Sequence, residues 1–354
     1  MMKICVVGVG RWGKNYARVF SELKGEGVID EFYVCDKNIS RAREIALKYG
    51  ADGYGDDAVA TIRKNSIDAA VVAVPTVYHH RVSMELLPYV DLLIEKPIAS
   101  SIKEAWEIVR ETEKLERIVA VGHIERFNPA VIALKKYIES LRGEGDNPLY
   151  VSTQRIGPGP YPGKTDNLGV AHDLLIHDVD VVCYLLKALP SRVWSLTVYT
   201  ESFPYETEIF AIFSYDAEET ITANLRASWR TSSTLKKREL FIQTRNSIIR
   251  LDYILQVISV EKGVAEHRSL EDYSEILSAY RSADYMERRL LTSHASEPLK
   301  LEVKDFINSI RQRKRPLVSA LDGYIALKCV ISALESSKRN EAVKIDWNEI
   351  RDFE

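Results

Sequence analysis

Short apolar runs at residues 4–7, 32–35, 69–74, 92–94 and 119–121 alternate with longer stretches of helical spacing at 14–23, 40–49, 77–87 and 102–114. Few folds remain open to a chain written this way. A short apolar run without polar alternation, bounded by turn residues, reads as a strand buried on both faces, the kind that fills a parallel sheet. Parallel neighbours need a crossover long enough to hold a helix, and the intervals supply it. The pattern predicts a doubly wound α/β domain over residues 1–122.

Beyond His123 the pattern changes. Residues 129–141 and 173–186 read as helices, and 193–200, 208–215, 220–226, 238–243 and 247–250 read as strands. Helices without strands between them, followed by consecutive strands, predict an α+β domain with helices over one face of a mostly antiparallel sheet, spanning 123–298. The run Gly-Pro-Gly-Pro-Tyr-Pro-Gly at 157–163 is expected to be a loop, either functional or a plain connector. Helices return at 299–312 and 320–336, within a last segment of 299–354.

Composition excludes several classes. Of 354 residues 46% are hydrophobic and 28% charged, the balance of a globular chain with material for about two cores. With 48 basic against 51 acidic residues the net charge is −3, which leaves no electrostatic footprint for nucleic acid. Basic runs at 311–315 and 236–238 are flanked by acidic residues and read as solvated faces. No stretch approaches the ~20 apolar residues that span a bilayer. The N-terminus makes a poor signal peptide, so no membrane partner and a cytoplasmic location are expected. Cys5, Cys35, Cys183 and Cys329 lie too far apart for a zinc or redox motif and read as free thiols in a reducing compartment.

The first apolar run leads into Gly8-Val9-Gly10-Arg11-Trp12-Gly13, a G-x-G-x-x-G pattern between a strand and a helix. In such a turn the first glycine permits the bend, the second admits a pyrophosphate, and the third lets helix and strand pack closely. The helix N-terminus then offers free N–H groups and a favourable dipole to the phosphates. Asp36 lies 23 residues after Gly13, where a carboxylate binds the adenosine ribose hydroxyls and repels a 2′-phosphate. NAD is therefore favoured, although the neighbouring Lys37 and Arg41 could accept the extra phosphate of NADP.

Two further segments carry chemistry. Glu95-Lys96-Pro97 ends a sheet strand at the carboxyl edge, where open α/β sheets bind ligands. Asp173 and His177 are four apart at the start of a helix and are expected on one face. His172 and His177, five apart, make a poor metal pair. The plain alternative is a carboxylate favouring the helix dipole and a packed histidine.

The Gly8–Gly13 turn, Ala73-Val74-Pro75-Thr76 at a strand end, Glu95-Lys96-Pro97, Asp173-x-x-x-His177 and the Asp322-Gly323 helix start occur in one order. That order resembles the glucose–fructose oxidoreductase/inositol dehydrogenase/MocA family over essentially the whole chain. The resemblance implies a Rossmann domain joined to an α+β domain with an open sheet, and an NAD(P)-dependent dehydrogenase of a sugar-like substrate. It also implies that residues 299–354 pack back beside the Rossmann fold, which makes the second domain resemble an insertion.

In the family the lysine of E-K-P, here Lys96, touches substrate and nicotinamide, and the following proline is often cis. Asp173 and His177 match the polar pair on the substrate side. An imidazole suits the general base, with Lys96 stabilising charge on the reacting oxygen and Asp173 orienting Lys96 or the sugar. Lys96 is the rival base. The lysine supplies the positive charge, so no metal is expected. Gly8, Gly10, Arg11, Trp12, Gly13, Asp36, Val74, Pro75, Thr76, His79, Glu95 and Lys96 make up the expected cofactor set. Thr76 and His79 would reach the ribose, and Trp12 would wall the nicotinamide or simply pack. His80, His267 and His294 are expected to be uninvolved.

Gly122-His123-Ile124-Glu125-Arg126-Phe127-Asn128-Pro129 is similar to the stretch found in UDP-N-acetylglucosamine 3-dehydrogenases and related nucleotide-sugar oxidases of the family. Arg126 would pair with phosphate or uronate oxygens and Asn128 with sugar hydroxyls. The alternatives are a salt bridge for Arg126 and a helix cap from Asn128 before Pro129. Oxidation at C3 of a UDP-sugar leads. A dehydrogenase of a free cyclitol or monosaccharide and a non-catalytic NAD-binding regulator remain open. The family also builds dimers and tetramers through its open sheet face, which implies a homo-oligomer.

Overall fold

The computed structural model describes residues 2–353 except 160–167, 202, 218, 233, 264–271, 273, 275–285 and 293–296. These divide into two compact units, the first made of residues 2–127, Leu168 and 297–331, the second of the remainder.

The first unit contains a parallel sheet of β1 (Lys3–Val7), β2 (Glu31–Cys35), β3 (Gly53–Gly55), β4 (Ala69–Val72), β5 (Asp91–Ile94) and β6 (Val119–Val121). Their order is β3-β2-β1-β4-β5-β6, and every pairing is parallel. Chain order reverses between β1 and β4, which creates the crevice at the carboxyl ends where such sheets take ligands. Ile4, Val6, Val34, Val71 and Leu93 are buried in one core, because a strand covered on both faces has no polar side to show.

Five crossover helices connect these strands: α1 (Gly13–Gly25), α2 (Ile39–Tyr49), α3 (Ala58–Asn65), α4 (His79–Leu86) and α5 (Ile102–Lys114). Asn38, Asp57 and Ser101 each accept the amide three residues on, capping α2, α3 and α5. The fingerprint helix α1 has no side-chain cap. The alternating runs had suggested five strands; the sixth, β3, is three residues of Gly-Tyr-Gly, too short and too polar-edged to register as a run.

The second unit starts with α6 (Pro129–Gly143), β7 (Tyr150–Ile156) and α7 (Ile176–Leu186). It continues through β8 (Pro190–Val198), β9 (Glu208–Tyr215), β10 (Ile221–Ser228), β11 (Lys237–Gln243), β12 (Ser247–Asp252), β13 (Val257–Gly263) and β14 (Met286–Thr292). After α8 (Pro298–Gln312) and α9 (Ala320–Arg339), β15 (Val343–Lys344) completes a nine-stranded sheet in the order β14-β13-β12-β11-β7-β10-β9-β8-β15. Only β7 and β10 pair in parallel, so the sheet is mixed and mostly antiparallel.

The expectation of helices without an intervening strand is corrected by β7, which separates α6 from α7. Two of its three inward residues are Thr153 and Arg155, so the strand lacks the apolar face that would have marked it. Both α6 and α7 pack against the sheet. Its inner positions, among them Val193, Phe213, Leu225, Ile242 and Ile249, are buried at the spacing of two expected of a one-sided sheet.

In the last segment, α8 packs on α1 and on the 3-10 turn Ile124–Phe127. Residues 332–354 instead group with the second unit. The Ser336 and Ser337 hydroxyls accept the amides of Ser195 and Thr197, and the Trp347 indole donates to the Pro190 carbonyl at 2.8 Å. The implication of the resemblance that 299–354 packs back beside the Rossmann fold therefore holds for 299–331 and not for the residues that follow.

Residues 157–159 have no regular structure; 160–163 of the expected loop, His267 and His294 lie outside the described residues. Among the described residues no helix is long and apolar enough to cross a membrane, and no cluster of three metal-ligating side chains occurs. All four cysteines are free and buried.

Candidate active site

The fingerprint turn is built by exclusion. Gly8 has φ +89°, and a Cβ there would come within 2.8 Å of the Ala73 backbone. A Cβ on Gly13 would lie 1.9 Å from the Gly8 carbonyl oxygen, so α1 can approach β1 this closely only through glycine. Gly10 differs: a Cβ there would meet nothing within 4 Å. Its open flank is the space through which a pyrophosphate would approach the backbone. No side chain caps α1; the Lys14 and Asn15 amides donate to the Gly10 and Trp12 carbonyls at 3.4 and 2.8 Å, and the helix dipole favours an anion at this end. Arg11 and Trp12 are exposed beside them.

Asp36 stands at the end of β2. Its Oδ2 accepts the Val9 amide at 3.0 Å and its Oδ1 the Asn38 amide at 2.8 Å, which fixes the carboxylate against the fingerprint turn. Each oxygen keeps a further lone pair for a ribose hydroxyl. The Arg41 Nη1 lies 3.5 Å from Oδ2, so a cation stands beside this carboxylate. The Asp36 carboxylate, the end of α1 without a side-chain cap and the open flank at Gly10 fit a dinucleotide.

At the ends of β4 and β5 a single ring joins two segments. His79 is 1% exposed, with Nδ1 at 2.8 Å from the Pro97 carbonyl oxygen and Nε2 at 2.8 Å from that of Val74. An imidazole with one N–H donates to one carbonyl only, whereas the imidazolium donates to both. This corrects the expectation that His79 reaches a ribose, since its ring nitrogens are occupied within the protein. Thr76 is buried, and its carbonyl accepts the Ser100 hydroxyl at 3.4 Å; Pro75 is exposed and Val74 half-buried. The Lys96–Pro97 peptide is cis.

Glu95 is buried and accepts the Tyr16 hydroxyl at 2.6 Å and the Lys96 amide at 3.1 Å, with a further hydrogen bond from Trp12. Burial pushes its carboxyl above the usual range, while those donors and the Lys96 charge oppose the shift. The Tyr16 hydroxyl also lies 3.2 Å from Glu302 Oε2, and burial followed by the two carboxyls holds the phenol well above its ordinary value. Sequence reasoning missed both partners. Tyr16 follows Gly13 by three residues and so returns to the same side of α1, which is the one signal that pointed to it.

In the second unit Asp173 lies in a π-helical turn, Ala171–Leu175, and His177 in the first turn of α7. The expectation of regular α-helix from Asp173 onward is thereby corrected. A π-turn closes i→i+5, so four-residue spacing no longer stacks side chains as it does in an α-helix. The widened turn is held by Glu206, which accepts the Ala171 amide at 3.0 Å. The Glu206 carboxylate also fills the space where a Cβ on Gly169 would stand, at 2.0 Å. Asp173 Oδ2 accepts the Trp229 indole N–H at 3.2 Å. Both Asp173 and His177 are half-buried. Immediately after His177, buried Asp178 takes both Nε and Nη2 of Arg155.

Two expected substrate contacts are engaged elsewhere. Arg126 is buried and donates to Asp322 Oδ1 at 3.0 Å and to the Leu317 carbonyl at 3.1 Å. Asp322 feels burial pushing it up, but the Arg126 charge and the Ser319 donors bring it below its usual range. Asn128 is 2% exposed, with Oδ1 capping α6 at Ala130 and Nδ2 donating to the Tyr253 carbonyl at 3.0 Å. The salt-bridge and capping alternatives account for both residues, which therefore leave the substrate set.

Residues 2–123 match the family model described as oxidoreductase family, NAD-binding Rossmann fold, and residues 161–345 match its C-terminal alpha/beta domain. The chain is 25% identical to the UDP-N-acetylglucosamine 3-dehydrogenase of Acidithiobacillus ferrooxidans, over 94% of this chain and 96% of the relative. It is 24% identical to the scyllo-inositol 2-dehydrogenase (NAD(+)) of Bacillus subtilis, over 98% and 96%. A solved levoglucosan dehydrogenase in complex with NADH shares the fold at TM-score 0.81, 16% identity and 98% and 99% coverage. The cradle at Gly8–Gly13, the Glu95-Lys96-Pro97 turn and the paired domain matches lead to one conclusion: the chain belongs to the glucose–fructose oxidoreductase/inositol dehydrogenase/MocA oxidoreductase family.

Proposed function

We propose that the protein is an NAD-dependent dehydrogenase that oxidises a secondary alcohol of a sugar, with C3 of a UDP-N-acetyl-hexosamine as the reacting carbon and the 3-keto sugar as product. The observation that carries this reading is the E-K-P turn at the carboxyl end of β5, in the same sheet as a glycine cradle with an open flank at Gly10. Residues 1–122 would hold the dinucleotide and 123–298 the sugar. Asp36 favours NAD, and the cofactor in the name of the inositol relative supports the same choice.

NAD, when bound, supplies the hydride acceptor. His177 takes the alcohol proton on an imidazole nitrogen as the C–O bond gains double-bond character. Lys96 Nζ donates a hydrogen bond to the reacting oxygen and offsets the negative charge that develops there. Asp173, steadied by the Trp229 indole, orients the sugar or the Lys96 ammonium. The nucleotide-sugar choice rests on the similarity to the UDP-N-acetylglucosamine enzyme. A free cyclitol or monosaccharide is the second reading, favoured by the engagement of Arg126 with Asp322, which removes one expected phosphate contact. Inositol dehydrogenases among the relatives support it too.

The outer face of the second unit's sheet exposes Trp194, Leu196 and Ile212, with Trp194 directly opposite Ile212 across β8 and β9. An apolar face of this kind calls for a cover, and we place a second copy of the chain on it, in a homodimer or homotetramer. The four buried thiols suit a cytoplasmic setting.

The test is NADH formation by the purified protein with UDP-N-acetylglucosamine, myo-inositol and glucose in parallel. Turnover of the first alone supports the lead reading, turnover of the others the second, and none with any sugar overturns the enzyme. His177→Ala should abolish turnover and leave NAD affinity intact; near-full activity would transfer the base role to Lys96.

A further inference from the structure

Three buried side chains from distant parts of the sequence meet behind the E-K-P turn: Tyr16 on α1, Glu95 at the end of β5 and Glu302 on α8. We propose that the two carboxyls share one proton in addition to the phenol's own, so that the cluster carries a single negative charge beside Lys96, and that Glu302 is a positioning residue acting on that turn through Tyr16 and Glu95. The effect on turnover rests on the dehydrogenase reading above; the proton count does not.

The count follows from the hydroxyl. A phenol has one O–H to give and lone pairs to receive. Its 2.6 Å contact with Glu95 Oε1 has the length of an O–H bond donated to a charged oxygen. The 3.2 Å contact with Glu302 Oε2 then falls on a phenol lone pair, and only a protonated carboxyl can make it attractive. If the phenol instead donates to Glu302, the extra proton sits on Glu95. Either way one carboxyl is neutral, as expected when two acids meet out of water. The upward displacement of the Glu95 carboxyl by burial has the same sign.

The surrounding charges fit one negative site. Lys96 and the Trp12 indole face Glu95, and the Gly122 backbone closes over it, since a Cβ there would lie 3.1 Å from Oε2. The turn on which α8 packs carries Glu125 and Arg126 and follows His123, with Arg126 engaged by Asp322. On the outer sides of α1 and α8, Arg18 pairs with Glu22 and Glu297, while Lys300 pairs with Glu22 and Glu26. A second negative charge next to Lys96 would draw Nζ toward the sheet and away from the reacting oxygen. The shared proton prevents it.

Infrared difference spectra of the cofactor-free protein at about pH 8, well above ordinary carboxyl values, test the count without any turnover. Spectra of wild type minus Glu302→Gln, Glu95→Gln and Tyr16→Phe should show the C=O stretch of a protonated carboxyl that shifts in D2O. Its absence from all three would overturn the proposal. With an active sugar in hand, Glu302→Ala should lower kcat about tenfold, and Glu302→Gln should restore most of it while removing one ionisation from the kcat profile. A Glu302→Gln profile that overlays the wild type would overturn the positioning role. Failure of every sugar would sink the dehydrogenase reading and leave the infrared result standing.

Discussion

The Arg155 guanidinium grips a single carboxylate oxygen of Asp178, from Nε at 2.9 Å and from Nη2 at 2.8 Å, and both side chains are 1% exposed. The Tyr253 ring lies over the same guanidinium at 4.8 Å. This pair ties the first turn of α7 to β7 and sets the backbone that carries His177. Removing Asp178 takes the facing carboxylate away from a buried guanidinium. Asp178→Ala should therefore lower the unfolding free energy by about 3–5 kcal/mol. Denaturant melts check this, and a loss below 1 kcal/mol would show that water reaches the arginine.

Gly10 separates ligand binding from folding. Its Cβ would meet no protein atom, so Gly10→Ala should leave stability within about 0.5 kcal/mol of the wild type. If the flank holds a pyrophosphate, NAD affinity should still fall by tenfold or more, or about 1.4 kcal/mol. Gly13→Ala must fail on both counts, because its Cβ collides with the Gly8 carbonyl. Calorimetric titration of Gly10→Ala showing undiminished NAD binding would move the phosphates elsewhere.

On the proposed reading, Asp36 and Arg41 set the choice between dinucleotides. Asp36→Ser removes the carboxylate that would bind the ribose hydroxyls and leaves the Arg41 guanidinium in place. NAD affinity should drop by about 1.5–3 kcal/mol, the range for hydrogen bonds to charged groups, while NADP affinity rises. Parallel fluorescence titrations read both constants. Tighter NADP binding by the unmutated protein would reverse the assignment.

Glu206 gives the second unit a pH signature. Burial raises its folded carboxyl above the ordinary value and the Ala171 amide only partly opposes this, so the folded state keeps the proton longer than the unfolded chain does. Stability from this group is fully present below the unfolded carboxyl value of about 4.3 and falls as pH rises toward the folded value. Glu206→Gln cannot titrate, so its melting temperature should gain on the wild type across that window. Parallel melting curves against pH would refute the sign.

The exposed row on β8 and β9 offers a test of assembly. Trp194→Glu together with Leu196→Glu places charges on the outer face without touching the buried inner positions. Light scattering should report a monomer for the double variant and a larger particle for the parent. A monomeric parent would remove the proposed partner.

The nucleotide-binding half was legible because its signals are local. Strand, glycine turn and helix follow one another, and Asp36 falls where the second strand ends. The other half was less legible for an equally physical reason. In β7 the inward Arg155 finds its counter-charge in Asp178, 23 residues on, so the strand needs no apolar face and looks like a loop. Glu206 shapes the turn at Ala171 from 35 residues away, and no spacing rule reports such a contact. Arg126 and Asn128 show the opposite limit: their residue types suit a ligand, but burial and nearby acceptors decide their use.

The Val74 and Pro97 carbonyls lie on opposite sides of one imidazole, and when both of its nitrogens carry a proton the loops after β4 and β5 are tied together. The ring works as a rivet between two plates. Amides on both loops should exchange with solvent as one cooperative block, and a change that frees either plate should release the Lys96 turn along with it.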